Sequence, residues 1–597
     1  SSAASDVYKR QNYTMCGILG YLNFSKEKLP SKIFNEMLST LGSRGPDNKD
    51  VYENDCLQLG HTRLAIIDLN EKANQPMKDN CNENIIVFNG CIYNYRELKK
   101  SLIQRGEKFR TNSDTEVILK AYNTWNEDCT KYLDGDFAFA IWNKKKNELF
   151  LARDRFGVKP LYFSYEKKTL VFSSSIQAFK KIGNFDFTLS PESLHYHFSL
   201  HSSVPSPHTI FSKIHKLEPG HWMKVSKNNF KIKKFWSLKK YNESELITSE
   251  DEAVPLIYEN LENAIKKRVL ASDKEIGILL SGGLDSSLIV ALAKKYNENI
   301  KTFSIGFEDE GEEKGNEFFY SDKVVNAYKT SHKKIMVPNT IALDNISNAF
   351  LNMPEPMYAQ DAIAFFMLAK EVSRDVKVVL SGQGADEVFA GYFWYPKIAN
   401  EEFSTKNFLK HYVDRDHREI QTLLNINIID DYTYNFIDEN LKPNLKRSFL
   451  NSVLNLDITK LIVDDPVKRV DSMTMSHGLE ARVPFLDYRL IETANKIHPN
   501  IHLQNNGKNI LKIIAKDYFP KSFINREKGY FPMPALKYIK GKYYDFVYDI
   551  LNSLSCKNRG LFNRNYVDNL LKSPNSNLTA IKGLSLIHIS EPTRPLG

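Results

Sequence analysis

The sequence predicts two domains: an α+β domain with antiparallel sheets, followed by an α/β domain built on a parallel sheet. Short β-like runs separated by turns fill the first third of the chain. A polar stretch follows, and beyond it short continuous apolar runs alternate with helical patterns. With 597 residues, 42% of them hydrophobic and 26% charged, the chain can build large cores and is not a disordered polymer. The 81 Lys+Arg exceed the 72 Asp+Glu by only nine, and the lysines are scattered. Nucleic-acid binding would need them clustered; a thin positive balance suits anionic small molecules.

Taken in order, residues 1–14 are polar and without period, and read as a non-native tail ahead of Met15. The first domain, 16–230, carries strand-like runs at 17–22, 59–69, 84–90, 137–143, 148–154 and 170–174. Helical patterns near 31–41 and 114–125 interrupt them. Residues 231–252 make a linker. In the second domain, 253–583, the apolar runs 275–280, 302–307 and 376–382 suit strands buried on both faces, and 400–580 is mostly helical. Residues 584–597 break off a helical pattern and read as a second non-native tail. His195, His197 and His201 lie in an alternating polar–apolar stretch with no cysteine near, so solvent-facing histidines are expected rather than zinc ligands. Six cysteines without a CxxC pair indicate a reducing compartment. No apolar run approaches about 18 residues, so no membrane span is expected and the protein reads as cytoplasmic.

Two loops of the second domain carry the chemistry. Ser281-Gly282-Gly283-Leu284-Asp285-Ser286 follows an apolar run and opens a helix, where glycines permit close approach and free amides with two hydroxyls suit an anion. Asp285 would repel that anion unless a hard cation such as Mg²⁺ lay between them. A second loop, Ser381-Gly382-Gln383-Gly384-Ala385-Asp386-Glu387, brings further acids to a strand end. In the first domain, Cys16 directly follows Met15. Removal of an initiator Met would make its thiol the nucleophile and its own α-amine the base.

These loops, with Arg469-Val470-Asp471-Ser472-Met473, the run 479–487 (LEARVPFLD) and Arg526-Glu527-Lys528, resemble the glutamine-hydrolysing asparagine synthetase family over residues 15–583. The resemblance implies a four-layer αββα N-terminal-nucleophile glutaminase domain and a PP-loop ATP pyrophosphatase domain. In the synthetase domain it implies ATP and pyrophosphate contacts at Leu279, Ser281, Gly282, Gly283, Leu284, Asp285, Ser286, Ile305, Ser381, Gly382 and Lys528. It places Mg²⁺ on Asp285 and Asp386, transition-state charge stabilisation on Lys528, and the acceptor or its intermediate beside Gln383. Cys16 is accompanied by Arg44-Gly45-Pro46-Asp47, and the resemblance places the glutamine pocket on Arg63, Leu64, Ala65, Ile66, Ile67, Asn89, Gly90, Cys91 and Asp114. Arg63 would take the α-carboxylate, Asp114 the α-ammonium, and Asn89 with Gly90 the oxyanion.

Two positions depart from the family pattern. The usual acid after Asn-Gly is Cys91, and the usual acid of the second loop is Gln383. With 88–98 (FNGCIYNYREL) and 528–538 (KGYFPMPALKY), they resemble the N-acetylglutaminylglutamine amidotransferase branch. The implied reaction hydrolyses glutamine, adenylates an acceptor carboxylate with ATP, releasing pyrophosphate, and amidates it with ammonia carried through a water-poor passage. Aspartate is the alternative acceptor, and a non-catalytic relative the third reading. The expected partners are small molecules (glutamine, ATP and the acceptor), with no nucleic acid and no membrane; a homodimer is compatible with the sequence.

Overall fold

A computed structural model describes residues 16–45, 47–309, 314–357, 360–441, 447–526 and 539–574. The first domain stacks two six-stranded antiparallel sheets face to face. The first holds strands β1 (Gly17–Asn23) and β2 (Leu57–Arg63) at its centre; the second holds β3 (Asn84–Ile92) and β4 (Gly135–Asn143). Alternate residues fill the space between the sheets: Ile18, Leu22, Leu57 and Leu59 from one, Ile85, Val87, Ala138, Ala140 and Trp142 from the other. The opposite faces of the same strands are also apolar, and helices cover them. Phe34 and Leu38 of helix Ser31–Ser39 pack over Gly60, while Tyr122 of helix Asp114–Trp125 stacks on Phe150 at 5.2 Å. Four αββα layers result.

The apolar run 59–69 is a strand only to Arg63. Its remainder, Leu64 to Ile67, turns away to wall a cleft, because the buried face it supplies is a pocket and not a sheet. Asn229–Lys234 closes the edge of the second sheet and runs four residues into the stretch expected as linker.

The second domain has a fully parallel sheet of β5 (Ile276–Leu279), β6 (Lys301–Phe307), β7 (Ser331–Val337), β8 (Val378–Leu380) and β9 (Glu480–Arg482), in spatial order β7-β6-β5-β8-β9. Chain order reverses between β5 and β8, which is where an open α/β sheet leaves a crevice beyond its strand ends. Both glycine loops emerge there. Buried ion pairs fasten the domains together: Asp471 meets Arg44 and Lys159, each at 3.1 Å, and Lys216 meets Asp464 at 2.7 Å and Glu355 at 3.2 Å.

The histidines of 195–201 do not face solvent. His195 and His197 lie on helix Pro191–Ser199 and are buried. The polar–apolar alternation misled because this helix is covered on nearly every side: all residues from Ser193 to Ser199 are buried. Among the described residues no helix is long and apolar enough to cross a membrane.

Candidate active sites

Cys16 stands at the mouth of β1, where it opens a cleft. Arg63, Leu64, Ile66, Ile67, Gly90, Cys91 and Asp114 line this cleft, so seven of the nine predicted glutamine-site residues meet Cys16 in one place. Leu64 N–H donates to Cys16 Sγ at 3.3 Å. Burial nevertheless pushes the thiol up to about 12, with the Glu480 carboxylate adding to the rise and Leu64 and Arg63 opposing it. Arg63 is held rigidly by the carbonyls of Asn70 and Asp68 and by Asn74 Oδ1. Asp114 Oδ2 accepts from Ile92 N–H at 3.0 Å, and burial first, then Glu480, raise its carboxyl to about 7.

Asn89 is fully buried, yet neither atom of its carboxamide has a hydrogen-bond partner among the described residues. Leaving such a group unpaired is costly unless a ligand completes it. Gly90 beside it has φ +147, and a Cβ there would overlap the Asp136 carbonyl across the sheet. Ala65 is half-buried and ties to Asp47 through its N–H, without lining the cleft.

The wall facing the synthetase-like half comes from that half. Glu480 and Arg482 of β9 project into the cleft, with Arg482 Nε donating to Glu480 Oε1 at 2.7 Å. The cleft wall on that side is therefore an ion pair and not an apolar surface. The same strand reaches the other site: Ser381 N–H donates to the Arg482 carbonyl at 2.9 Å.

At that second site Gly282 has φ +78, and a Cβ there would come within 2.5 Å of Ser321 N. Ser281 Oγ accepts from Gly283 N–H at 3.2 Å and lies 3.1 Å from Ser286 Oγ, and helix Leu284–Ala293 begins beside them. Leu279 and Ile305 lie on the adjacent strands β5 and β6, and Ser381, Gly382 and Gln383 follow β8. Gly382 and Asp285 are in contact range, since a Cβ on the glycine would lie 3.2 Å from the Asp285 Cβ. Asp285 and Asp386 converge on one cation, Lys508 Nζ, at 2.6 and 2.9 Å. Their charges hold the buried ammonium well above the usual lysine range against desolvation. Arg526 stacks 3.9 Å over Tyr320 and pairs with Glu317 at 3.2 Å, close to Gly283. Lys528 lies outside the described residues.

Comparison with known proteins covers both domains. A glutamine amidotransferase domain family matches residues 15–236, and the asparagine synthase family matches 256–588, more than half of the chain. The chain belongs to the glutamine-hydrolysing asparagine synthetase family. Asparagine synthetase [glutamine-hydrolyzing] 3 of Bacillus subtilis is 31% identical over 87% of this chain and 87% of its own length. Asparagine synthetase [glutamine-hydrolyzing] 1 of the same organism is 30% identical over 90% of both chains. A putative asparagine synthetase 2 of Methanocaldococcus jannaschii is 36% identical over 63% of this chain and 76% of its own.

As a member of this asparagine synthetase family the chain is a glutamine-hydrolysing carbon–nitrogen ligase with an N-terminal-nucleophile-type domain and a PP-loop domain. Sequence reasoning missed Glu480 and Arg482 as pocket residues, though a signal existed: two charges at i and i+2 within the apolar run 479–486 must share one face of a buried strand. It missed Lys508 entirely. That residue adopts φ 54 just ahead of a helix, and no local pattern tells that its side chain runs back between two aspartates.

Proposed function

We propose that this ligase amidates the free carboxylate of N-acetylglutaminylglutamine, consuming ATP. Cys16 Sγ attacks the glutamine carboxamide carbon. The Asn89 amide and Gly90 N–H take the oxyanion, the C–N bond breaks as ammonia leaves, and water then hydrolyses the thioester to glutamate. Arg63 takes the α-carboxylate; Asp114 takes the α-ammonium, with Glu480 adding negative potential where Cys91 has replaced the usual acid. The orphaned carboxamide of Asn89 is the observation that carries this half of the reading.

In the second site an acceptor carboxylate oxygen attacks the α-phosphorus of ATP and pyrophosphate leaves toward the Ser281–Ser286 loop. Ammonia then displaces AMP from the acyl carbon. The all-oxygen pair Asp285 and Asp386, already converging on a positive charge, fits a hard divalent cation. Mg²⁺ held there would neutralise pyrophosphate. Lys508 keeps the two carboxylates together, and Lys528 is the proposed cation for the charge that develops at phosphorus.

Gln383 supports the acyl-dipeptide over aspartate. Aspartate carries an α-ammonium that calls for an acid, whereas an acylated dipeptide has none and is served by a neutral amide. The names of the relatives favour aspartate as the second reading. Incubation with ATP, glutamine and each acceptor decides: AMP and amide product should appear with the acyl-dipeptide. Product with aspartate alone would overturn the choice of acceptor, and pyrophosphate release with neither would overturn the ligase mechanism drawn here.

A further inference from the structure

Helix Pro191–Ser199 of the glutaminase domain meets residues 417–433 of the synthetase domain at a side-chain cluster that neither half-reaction uses. His195 Nε2 lies 3.0 Å from His417 Nδ1 and 3.7 Å from Asp431 Oδ1. One ligand atom from each of the three residues falls within 4.8 Å of the other two. His195 is buried, and the other two are half-buried.

The surrounding hydroxyls fix which nitrogen of His195 carries the proton. Ser199 Oγ donates its single proton to the His195 carbonyl at 2.8 Å. Its 2.6 Å contact with Thr433 Oγ1 therefore has Thr433 as the donor. Thr433 Oγ1, with its own proton committed, accepts from His195 Nδ1–H at 2.8 Å. Nε2 is left with a lone pair aimed at His417 and Asp431. This is the arrangement by which an outer hydroxyl orients a metal-binding imidazole.

The spacing agrees. Metal–ligand bonds of about 2.0–2.1 Å in a tetrahedron place neighbouring donor atoms about 3.3–3.4 Å apart, and the observed 3.0 and 3.7 Å bracket that value. Two imidazoles with one carboxylate favour zinc, cobalt or nickel over magnesium or calcium. Asp431 Oδ1 also accepts from Tyr434 N–H at 2.9 Å at the start of helix Tyr432–Leu441, which fixes the carboxylate beside the two imidazoles. We propose that His195, His417 and Asp431 form a divalent transition-metal site of the zinc class, completed by water, that ties the glutaminase domain to the synthetase domain. Binding requires only that His417 carry its proton on Nε2, so no oxidant or further reactant enters.

The test titrates the full-length protein with Co²⁺ while excess Mg²⁺ occupies carboxylate-only sites. One equivalent should bind with the intense visible bands of four-coordinate cobalt, raise the thermal midpoint, and be displaced by Zn²⁺. Asp431→Asn and His417→Gln should each weaken binding by at least about tenfold, and Thr433→Val, which touches no metal, by roughly tenfold. Glutamine hydrolysis should be unchanged in all three. Wild-type protein without cobalt bands, or variants that fold and keep wild-type affinity, would overturn the site; the wild-type titration decides even if a variant fails to fold.

Discussion

Arg44 Nη2 donates to Asp471 Oδ2 at 3.1 Å across the domain boundary. Arg44 Nε also points at the Cys16 carbonyl at 3.4 Å, so the backbone of the nucleophile is one residue removed from the synthetase domain. Both side chains of the pair are buried, and Lys159 shares the carboxylate. Asp471→Asn would leave two buried cations without a counterion. It should destabilise the protein by roughly 3–5 kcal/mol and, by loosening Arg44 from the Cys16 carbonyl, lower the rate of glutamine hydrolysis. Thermal melting and a glutaminase assay check the two effects separately.

Asp114 gives a pH dependence with a definite sign. Its carboxyl titrates near about 7 in the empty pocket, and the ionised form is the one that attracts an α-ammonium. Glutamine affinity should therefore rise as pH climbs through neutrality, by about tenfold from one unit below that pKa to the plateau. Calorimetry on Cys16→Ala, which binds without turnover, isolates the effect, and Asp114→Asn should flatten it. For stability the sign is opposite. The folded state holds this proton more tightly than the unfolded chain, so the group's contribution is fully present below about pH 4 and is lost as pH rises through about 7.

Lys508 bridges Asp285 and Asp386. Lys508→Met should cost roughly 3 kcal/mol, because two partly buried carboxylates would lose their shared cation. Mg²⁺ should then raise the melting temperature of the variant more than that of the wild type. An equal response in both would show that the metal does not use this pair.

Asn89→Ala should lower kcat for glutamine hydrolysis by about 10²–10³-fold while KM changes little, the signature of a donor used mainly in the transition state. ATP-dependent amidation supplied with free ammonia should be unaffected.

Cys16 bears on processing. Burial pushes the Cys16 thiol up to about 12, and a free α-amine on the same residue would supply a base beside it. Intact-mass analysis of glutaminase-active protein should show a chain beginning at Cys16; active protein still carrying Met15 would contradict this.

Much of the first domain was legible because alternation has one meaning on a strand. Ile85 and Val87 face one way and Ile86 and Phe88 the other, and both faces are buried. The same rule failed on 193–199, where a helix enclosed on all sides shows no polar stripe to betray its period. The cleft residues Cys16, Arg63, Asn89 and Asp114 come from separated elements, and it was their joint resemblance to a family that assembled them. Charges such as Glu480 and Lys508 escaped because their partners lie hundreds of residues away, and local pattern carries no information about them.

The three-residue strand Glu480–Arg482 sets a limit on rearranging this enzyme. Because one wall of the proposed glutamine pocket, Glu480 and Arg482, belongs to the synthetase half, the halves are not interchangeable cassettes. A chimera that kept this glutaminase and borrowed another ligase domain would inherit a foreign pocket wall, and its glutamine specificity would change along with its acceptor.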